Sequence, residues 1–358
     1  MRVIVAMSGG VDSAVAALLL LRQGHEVQGL FMHNWDEDDQ GYCTSAEDFQ
    51  DARRVAAELR IPLHRVDLSR EYRDRVFAEF LEAYRAGLTP NPDVLCNREI
   101  KFGDCLRHAQ RLGGTHLATG HYARILPGHD GPELHKGVDI EKDQSYFLHA
   151  VARERFAAAL MPLGELHKPE VRRLAREAGL PVADKRDSTG ICFIGERPFR
   201  DFLAQYIGHT PGPIRTESGE EIGTHVGLPF YTLGQRGGIG IGGLAGSSGD
   251  PWYVVGKDTG RNVLVVAQGE NHPALFTTHL TARQPNWLCA PSEALGDGIT
   301  VRLRYRQQDQ PARVTMLADG DLAITPQSPQ RAVTPGQSAV LYRASRCLGG
   351  GVITRTGL

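Results

Sequence analysis

Six residues, Ser8-Gly9-Gly10-Val11-Asp12-Ser13, join an apolar run, Val3 to Met7, to an alanine- and leucine-rich stretch that begins at Ala14. At a strand-to-helix junction the first N–H groups of the helix point outward without partners, and the helix dipole favours an anion there. Glycines let the main chain come close to that anion. Ser8 and Ser13 add hydroxyl donors, so the spacing predicts a phosphate cradle. Asp12 would repel a bare phosphate, which leaves room for a metal ion between the two. The GxxxxGK pattern is absent, so this is not a Walker A loop. The plainer alternative is a tight turn with a serine cap.

The second chemical feature is a set of thiols: Cys43, Cys96, Cys105, Cys192, Cys289 and Cys347. No CxxC pair occurs among them, which argues against an iron–sulfur cluster or a structural zinc site. Cys105 falls in a helical pattern, and Cys289 and Cys347 in a β region, so these three read as small buried hydrophobes. Cys43 follows the acidic WDEDDQGY, whose charges raise a thiol pKa. Cys96 and Cys192 differ, because each is expected in a segment poor in regular structure. Pro90 and Pro92 place Cys96 on a loop or at the start of a helix. Arg98 and Lys101 follow Cys96 closely, and Lys185, Arg186, Arg197 and Arg200 surround Cys192. Nearby cations favour the thiolate. Two such thiols in one chain predict persulfide or disulfide exchange.

An alternation of strands and helices is what would position these groups. Val3–Met7, Val27–Met32, Leu63–Val66 and Thr115–Thr119 read as strands. Helices are expected over Ala14–Gln23, from the Thr44-Ser45-Ala46-Glu47 capping box onward, over Arg70–Ala86, over Arg98–Leu112, and near Pro169–Ala178 and Pro198–Tyr206. That order implies a doubly wound parallel sheet. After Ile207 helical periodicity stops. From Arg302 short alternating runs separated by turn signals predict a small barrel or sandwich. The expected domains are 1–207, 208–275 and 276–358. In VRLRYRQ the strand period puts Arg302, Arg304 and Arg306 on one face, a row suited to phosphates. The glycine-rich Gly234–Gly249 superficially suggests a dinucleotide fingerprint, but no leading strand and no following helix accompany it.

Apolar residues at 41% and charged residues at 23% describe a globular chain. The net charge of −2 gives no support for nucleic-acid binding, although a local basic face would suffice for it. The first residues lack the h-region of a signal peptide, and the run Ala14 to Leu21 is too short to span a membrane. Six cysteines without a secretory signal fit a reducing compartment, so a cytoplasmic location is expected.

SGGVDS resembles the PP-loop of the ATP pyrophosphatase superfamily. A wider set of motifs resembles the tRNA-specific 2-thiouridylases of the bacterial MnmA type, from about Val5 to Gly351. These motifs are NPDVLCNREIKF, ATGHYAR, KDQSYFL, DSTGICFIGERPFRDFL, TLGQR with GIGIGG, RYRQ, and TPGQSAVLY with CLGGG. The resemblance implies an N-terminal α/β domain of PP-loop, adenine nucleotide alpha hydrolase-like fold, a small central domain and a C-terminal all-β barrel that meets tRNA. It implies that ATP activates the C2 oxygen of the wobble uridine as an adenylate, with release of pyrophosphate. A persulfide sulfur then replaces that oxygen and AMP leaves.

By the same resemblance Cys192 matches the persulfide carrier, Cys96 the second nucleophile and Asp93 an acid/base. The two cysteines are left as a disulfide. Two orders of sulfur release are compatible with these roles: Cys96 attacks the persulfide to free sulfide, or it resolves a sulfur already bonded to the uridine. Ala6, Met7, Ser8, Gly9, Gly10, Val11, Asp12, Ser13, Met32 and Gly120 match the ATP contacts. Asn91, Pro92 and Asp93 match the segment that meets the target base. His121, Lys142, Asp143, Gln144, Arg304, Tyr305 and Gln337 match tRNA contacts. ATP is implied as co-substrate with magnesium, with no permanently bound cofactor and no protein-held metal. The implied partners are the tRNA anticodon loop and a sulfur-donor protein, a cysteine desulfurase or a relay carrier. One alternative is another PP-loop ATP pyrophosphatase, such as an amide-forming ligase or a different tRNA-modifying enzyme, which has no need of both cysteines. Another is a non-catalytic tRNA- or nucleotide-binding module.

Overall fold

The computed structural model describes residues 1–35, 45–187, 198–241 and 249–357. Along the first part run β1 (Arg2–Met7), α1 (Val11–Arg22), β2 (Glu26–His33), α2 (Ser45–Leu59) and β3 (Leu63–Asp67). A helical stretch follows, composed of α3 (Ser69–Tyr72), an i→i+5 bonded segment (Arg73–Phe77) and α4 (Ala78–Arg85). A second such stretch is composed of α5 (Pro92–Leu95), a longer i→i+5 segment (Cys96–Cys105) and α6 (Leu106–Arg111). Then come β4 (His116–Ala118), the hairpin β5 (Ala123–Gly128) and β6 (Gly131–Lys136), α7 (Ser145–Leu148), β7 (Ala159–Leu160), α8 (Lys168–Glu177) and α9 (Phe199–Ala204).

The strands β3-β2-β1-β4-β7 form one sheet in that order, with every pairing parallel. Alternation along β1 sends Val3, Val5 and Met7 to the face covered by α1, α2 and α8. Ile4 goes to the other face, against Phe80, Ile100 and Ala109. Helix α1 is buried nearly all round because it lies between the sheet and α8. The order 3-2-1-4 reverses direction between β1 and β4, which opens a crevice at the carboxyl ends of those two strands.

Next, β8 (Gly212–Thr216), β9 (Glu221–His225), β10 (Trp252–Asp258) and β11 (Val263–Gln268) form a sheet ordered β10-β11-β8-β9. Its Ile214, Val254 and Leu264 share a core with Phe80 and Phe202. The remaining strands are β12 (Phe276–Thr277), β13 (His279–Trp287), β14 (Gly296–Arg302), β15 (Gln310–Met316), β16 (Leu322–Pro326), β17 (Gln330–Arg331), β18 (Ser338–Arg343) and β19 (Arg346–Gly357). Six of them run β13-β16-β15-β14-β18-β19, and β19 pairs back onto β13, closing an antiparallel barrel. Leu280, Val301, Val314, Ile324 and Leu341 fill it.

Two features depart from the sequence reading. The β5–β6 hairpin belongs by sequence to the first domain, yet it extends the barrel sheet, with His135 opposite Arg346 and the Lys136 amide donating to the Ser345 carbonyl at 2.8 Å. And VRLRYRQ is not one strand. β14 ends at Arg302, Arg306 adopts a φ of 62°, and the three guanidinium groups do not form a row. Arg302 is buried and turns inward, 2.7 Å from Asp143 and 2.7 Å from Asp309, while Arg304 is exposed. A buried carboxylate such as Asp143 demands a counter-charge, and that demand overrides the strand period.

Candidate active site

The loop after β1 is shaped by its own hydroxyls. Ser13 Oγ donates to the Gly10 carbonyl at 3.1 Å and accepts from the Ser8 amide at 3.1 Å, and it lies 3.2 Å from Ser8 Oγ. Gly9 has a φ of 75°, and a Cβ there would collide with the Asp48 carbonyl at the start of α2. Gly120 follows β4 and closes against the same loop, since a Cβ would lie 2.8 Å from the Ser13 amide nitrogen. Ala6, Met7 and Val11 are buried, and Met32 is half-buried on the neighbouring strand β2. All these residues gather at the carboxyl edge of the sheet, at the β1/β4 crevice.

Asp12 is not left bare. Tyr122 Oη donates to its Oδ1 at 2.8 Å, and Lys168 Nζ lies 2.7 and 2.8 Å from its two oxygens. The same ammonium lies 2.7 Å from Asp187, which also receives Lys142 at 2.7 Å and Arg172 at 2.9 Å. Burial alone would raise the Asp187 carboxyl, but the hydrogen bonds from Lys142 and Lys168 bring it down to about 2. Lys185 donates to the Gly9 carbonyl at 3.2 Å and to Asp48 and Asp51 at 2.6 Å each, which fixes the outside of the loop. Lys168, Tyr122 and Asp187 are absent from the sequence-based site. Each is far from the loop in sequence; Tyr122 lies inside ATGHYAR and Asp187 opens DSTGICFIGERPFRDFL, while Lys168 falls in none of the quoted motifs.

Cys96 sits on a helical stretch that begins at Pro92, six residues before Arg98, where the sequence reading began one. Asn91 caps it, its side chain accepting from the Asp93 amide at 3.1 Å, and Pro92 occupies the first turn, where its missing N–H costs nothing. The expectation of a segment poor in regular structure therefore does not hold for Cys96, which is 3% exposed in the i→i+5 segment. Such segments are rare and frequent at functional sites. Cys105, Cys289 and Cys347 are buried, with thiols pushed up by burial to about 12, 11 and 12. Cys192 and the rest of 188–197, Cys43, Thr44 of the capping box and residues 242–248 of the glycine-rich stretch lie outside the described residues.

Burial raises the Asp93 carboxyl above its usual value, with Lys101 opposing. Its folded pKa thus exceeds its unfolded one. The associated stability is present below the ordinary carboxylate range and is lost as pH rises through the raised value. Asp93→Asn is therefore expected to be more stable than the parent near pH 7 and about equal near pH 4, while losing activity. Urea unfolding at both pH values checks this, and a pH-independent difference would count against it.

His121 is 7% exposed, with Nδ1 2.8 Å from Thr119 Oγ1 and its ring 5.9 Å from that of Phe102. Burial, with Lys101 nearby, pushes its pKa well below the ordinary range, so it is neutral. Asp143 is 1% exposed and accepts from the amides of Gly137 and Ser145 at 3.1 Å each and from Arg302, so it faces inward. Gln144 Oε1 accepts from the Tyr122 amide at 3.0 Å. Tyr305 packs against Phe147, ring centroids 4.5 Å apart and tilted by 47°, beside this loop. Gln337 Nε2 donates to the Thr89 carbonyl at 2.7 Å, and the Thr89 amide donates to Pro335 at 2.9 Å, so a barrel loop holds the approach to Asn91.

Three consecutive residues tie these groups together. Gly120 lies against Ser13 and Asp12, His121 against Phe102 on the Cys96 helix, and Tyr122 against Asp12 and Gln144. The crevice can hold an anion on one side and present a carboxyl and a thiol-bearing helix on the other.

Residues 1–196 match a family model described as a tRNA methyl transferase HUP domain, 200–268 a tRNA methyl transferase PRC-barrel domain, and 277–353 an aminomethyltransferase beta-barrel domain. A protein of Idiomarina loihiensis named tRNA-specific 2-thiouridylase MnmA is 54% identical, over 98% of this chain and 95% of its own length. One of the same name from Paracidovorax citrulli is 55% identical, over 99% and 97%. A third, from Pseudomonas savastanoi pv. phaseolicola, is 55% identical, over 98% and 94%. Among the described residues no helix is long and apolar enough to cross a membrane.

Proposed function

The chain belongs to the MnmA family of tRNA-specific 2-thiouridylases, and from that premise we propose that it thiolates the C2 position of the wobble uridine of tRNA at the expense of ATP. The relatives, matched over nearly the whole chain, outweigh the methyl-transfer wording of the domain descriptions. The observation that carries the reading is the Gly120-His121-Tyr122 bridge between the phosphate loop and the Cys96 helix.

In this mechanism the nucleotide lies on the Ser8–Ser13 loop, with Ala6, Met7, Met32 and Gly120 lining the crevice. Magnesium bound to the ATP phosphates would offset their charge, and Asp12, paired with Lys168, is the carboxylate of the loop that would face it. Asn91, Pro92 and Asp93 meet the uracil, which must leave its stack to reach them. The C2 oxygen attacks the α-phosphorus and pyrophosphate leaves. Asp93, raised by burial, exchanges the uracil proton. Sulfur from a Cys192 persulfide replaces the adenylated oxygen, which departs with AMP. Cys96 takes up Cys192 as a disulfide, so each turnover consumes one persulfide and requires a thiol reductant afterwards. Lys142 and Gln144, from the loop before α7, and Arg304 and Tyr305, from the turn after β14, meet the tRNA in this reading. Buried Asp143 and His121, with half-buried Gln337, act by holding these contacts and the Asn91 loop in place. A cytoplasmic location and delivery of sulfur by a desulfurase or relay carrier complete the proposal.

Incubation of the full chain with ATP, magnesium, a persulfide source and unmodified tRNA is expected to yield 2-thiouridine and AMP, read by nucleoside mass analysis. Bound tRNA without 2-thiouridine would sink the proposal. An amide-forming relative would stay active with both Cys96 and Cys192 replaced by serine, and a binding module would form no AMP.

A further inference from the structure

Lys168 opens α8, 7% exposed, with its backbone amide donating to Asp139 at 2.8 Å. The Asp139 charge thus faces a helix N-terminus, which offsets it. Among the described residues the Lys168 ammonium is the one group that touches both Asp12 oxygens, and it touches Asp187 as well. Asp12 is a carboxylate beside a cradle built for phosphate. Unopposed, it would work against the N–H groups around it.

The bonded cluster contains Asp12 and Asp187 against Lys142, Lys168 and Arg172, so its net charge is +3 − 2 = +1. Without Lys168 it is +2 − 2 = 0, and the two remaining cations both lie on Asp187. Among the described residues Asp12 would keep only the Tyr122 hydroxyl. Helix α8 packs against α1, the helix that the loop begins, so the ammonium is held by the core and not by a surface stem.

We propose that Lys168 is a positioning residue for the nucleotide: it neutralises and orients the Asp12 carboxylate, so that the cradle meets the ATP phosphates as a net donor. This rests on the ATP-dependent reading above. Asp187 acts as the clamp that keeps the ammonium in place, and Arg172 and Lys142 hold the clamp.

The test is ATP binding to the full chain by equilibrium dialysis, with EDTA present so that no divalent ion substitutes for the ammonium. Lys168→Met is expected to weaken ATP about tenfold or more, and Lys168→Arg to stay within about threefold of the parent. Asp12→Asn with Lys168→Met should recover most of the lost affinity, because the neutral amide no longer opposes the anion. A merely structural lysine would not show that recovery. If Lys168→Met alone does not fold, Asp12→Asn is compared with the double variant, and equal affinities are expected. Parent-like binding by folded Lys168→Met, or a double variant no better than Lys168→Met, overturns the proposal. So does a double variant weaker than Asp12→Asn. Absence of ATP binding by the parent overturns the ATP reading itself, and this proposal with it.

Discussion

Cys96→Ser is expected to abolish 2-thiouridine formation, a fall of roughly a thousandfold or more, while ATP and tRNA still bind. Serine has nearly the same shape, and the helix that carries position 96 is set by the Asn91 cap and by burial of Leu95 and Ile100, none of which needs sulfur. The hydroxyl cannot attack a disulfide-type sulfur at neutral pH as a thiolate does. Persulfide loading separates the two thiols. Cys96→Ser protein is expected to carry labile sulfur on Cys192, and Cys192→Ser protein to carry none. Thiol labelling after incubation with a persulfide donor reads this directly. Undiminished thiolation by Cys96→Ser would remove Cys96 from the mechanism.

Arg302→Met is expected to cost about 3–5 kcal/mol of stability. Arg302 is 5% exposed, and its guanidinium joins Asp143, 1% exposed, to Asp309. Asp309 would retain Lys136, but Asp143 would keep only its N–H and hydroxyl donors, with its charge uncompensated. Asp143→Asn combined with Arg302→Met should restore a good part of the loss, since no buried charge is then unpaired. Urea unfolding of Arg302→Met, Asp143→Asn and the double variant measures this coupling. A cost under about 1 kcal/mol would mean that the cluster is far wetter than its burial implies.

The phosphate cradle was legible in the sequence because its information is local: a strand, two glycines, two serines and a helix within one short run. The parallel sheet was legible because apolar periodicity is local too. Pro90 and Pro92 leave a loop or a helix start open for Cys96, and the structure takes the second, with the helix beginning at Pro92 rather than Arg98 because proline is compatible with the first helical position. The Arg302 face failed for another reason. Its side chain answers a carboxylate 159 residues away, and no strand period encodes that. The β5–β6 hairpin was missed because its partner strand lies on the far side of two domains. Lys168 reads in sequence as the ordinary first residue of an amphipathic helix, and only folding brings it to Asp12.

The contact between Thr89 and Gln337 has a temporal side. These residues are 248 positions apart, so the ribosome finishes the first long before the second exists. Amino-terminal domains generally fold first during synthesis. The sheet and its phosphate loop can therefore be complete while the segment leading to Asn91 still lacks the loop that pins it. That pinning loop lies between β17 and β18, and the barrel around it closes only when β19 pairs with β13. The nascent polypeptide thus acquires its nucleotide pocket early and its fixed base-facing segment last. A half-made chain would hold ATP before it could present a settled nucleophile to any tRNA.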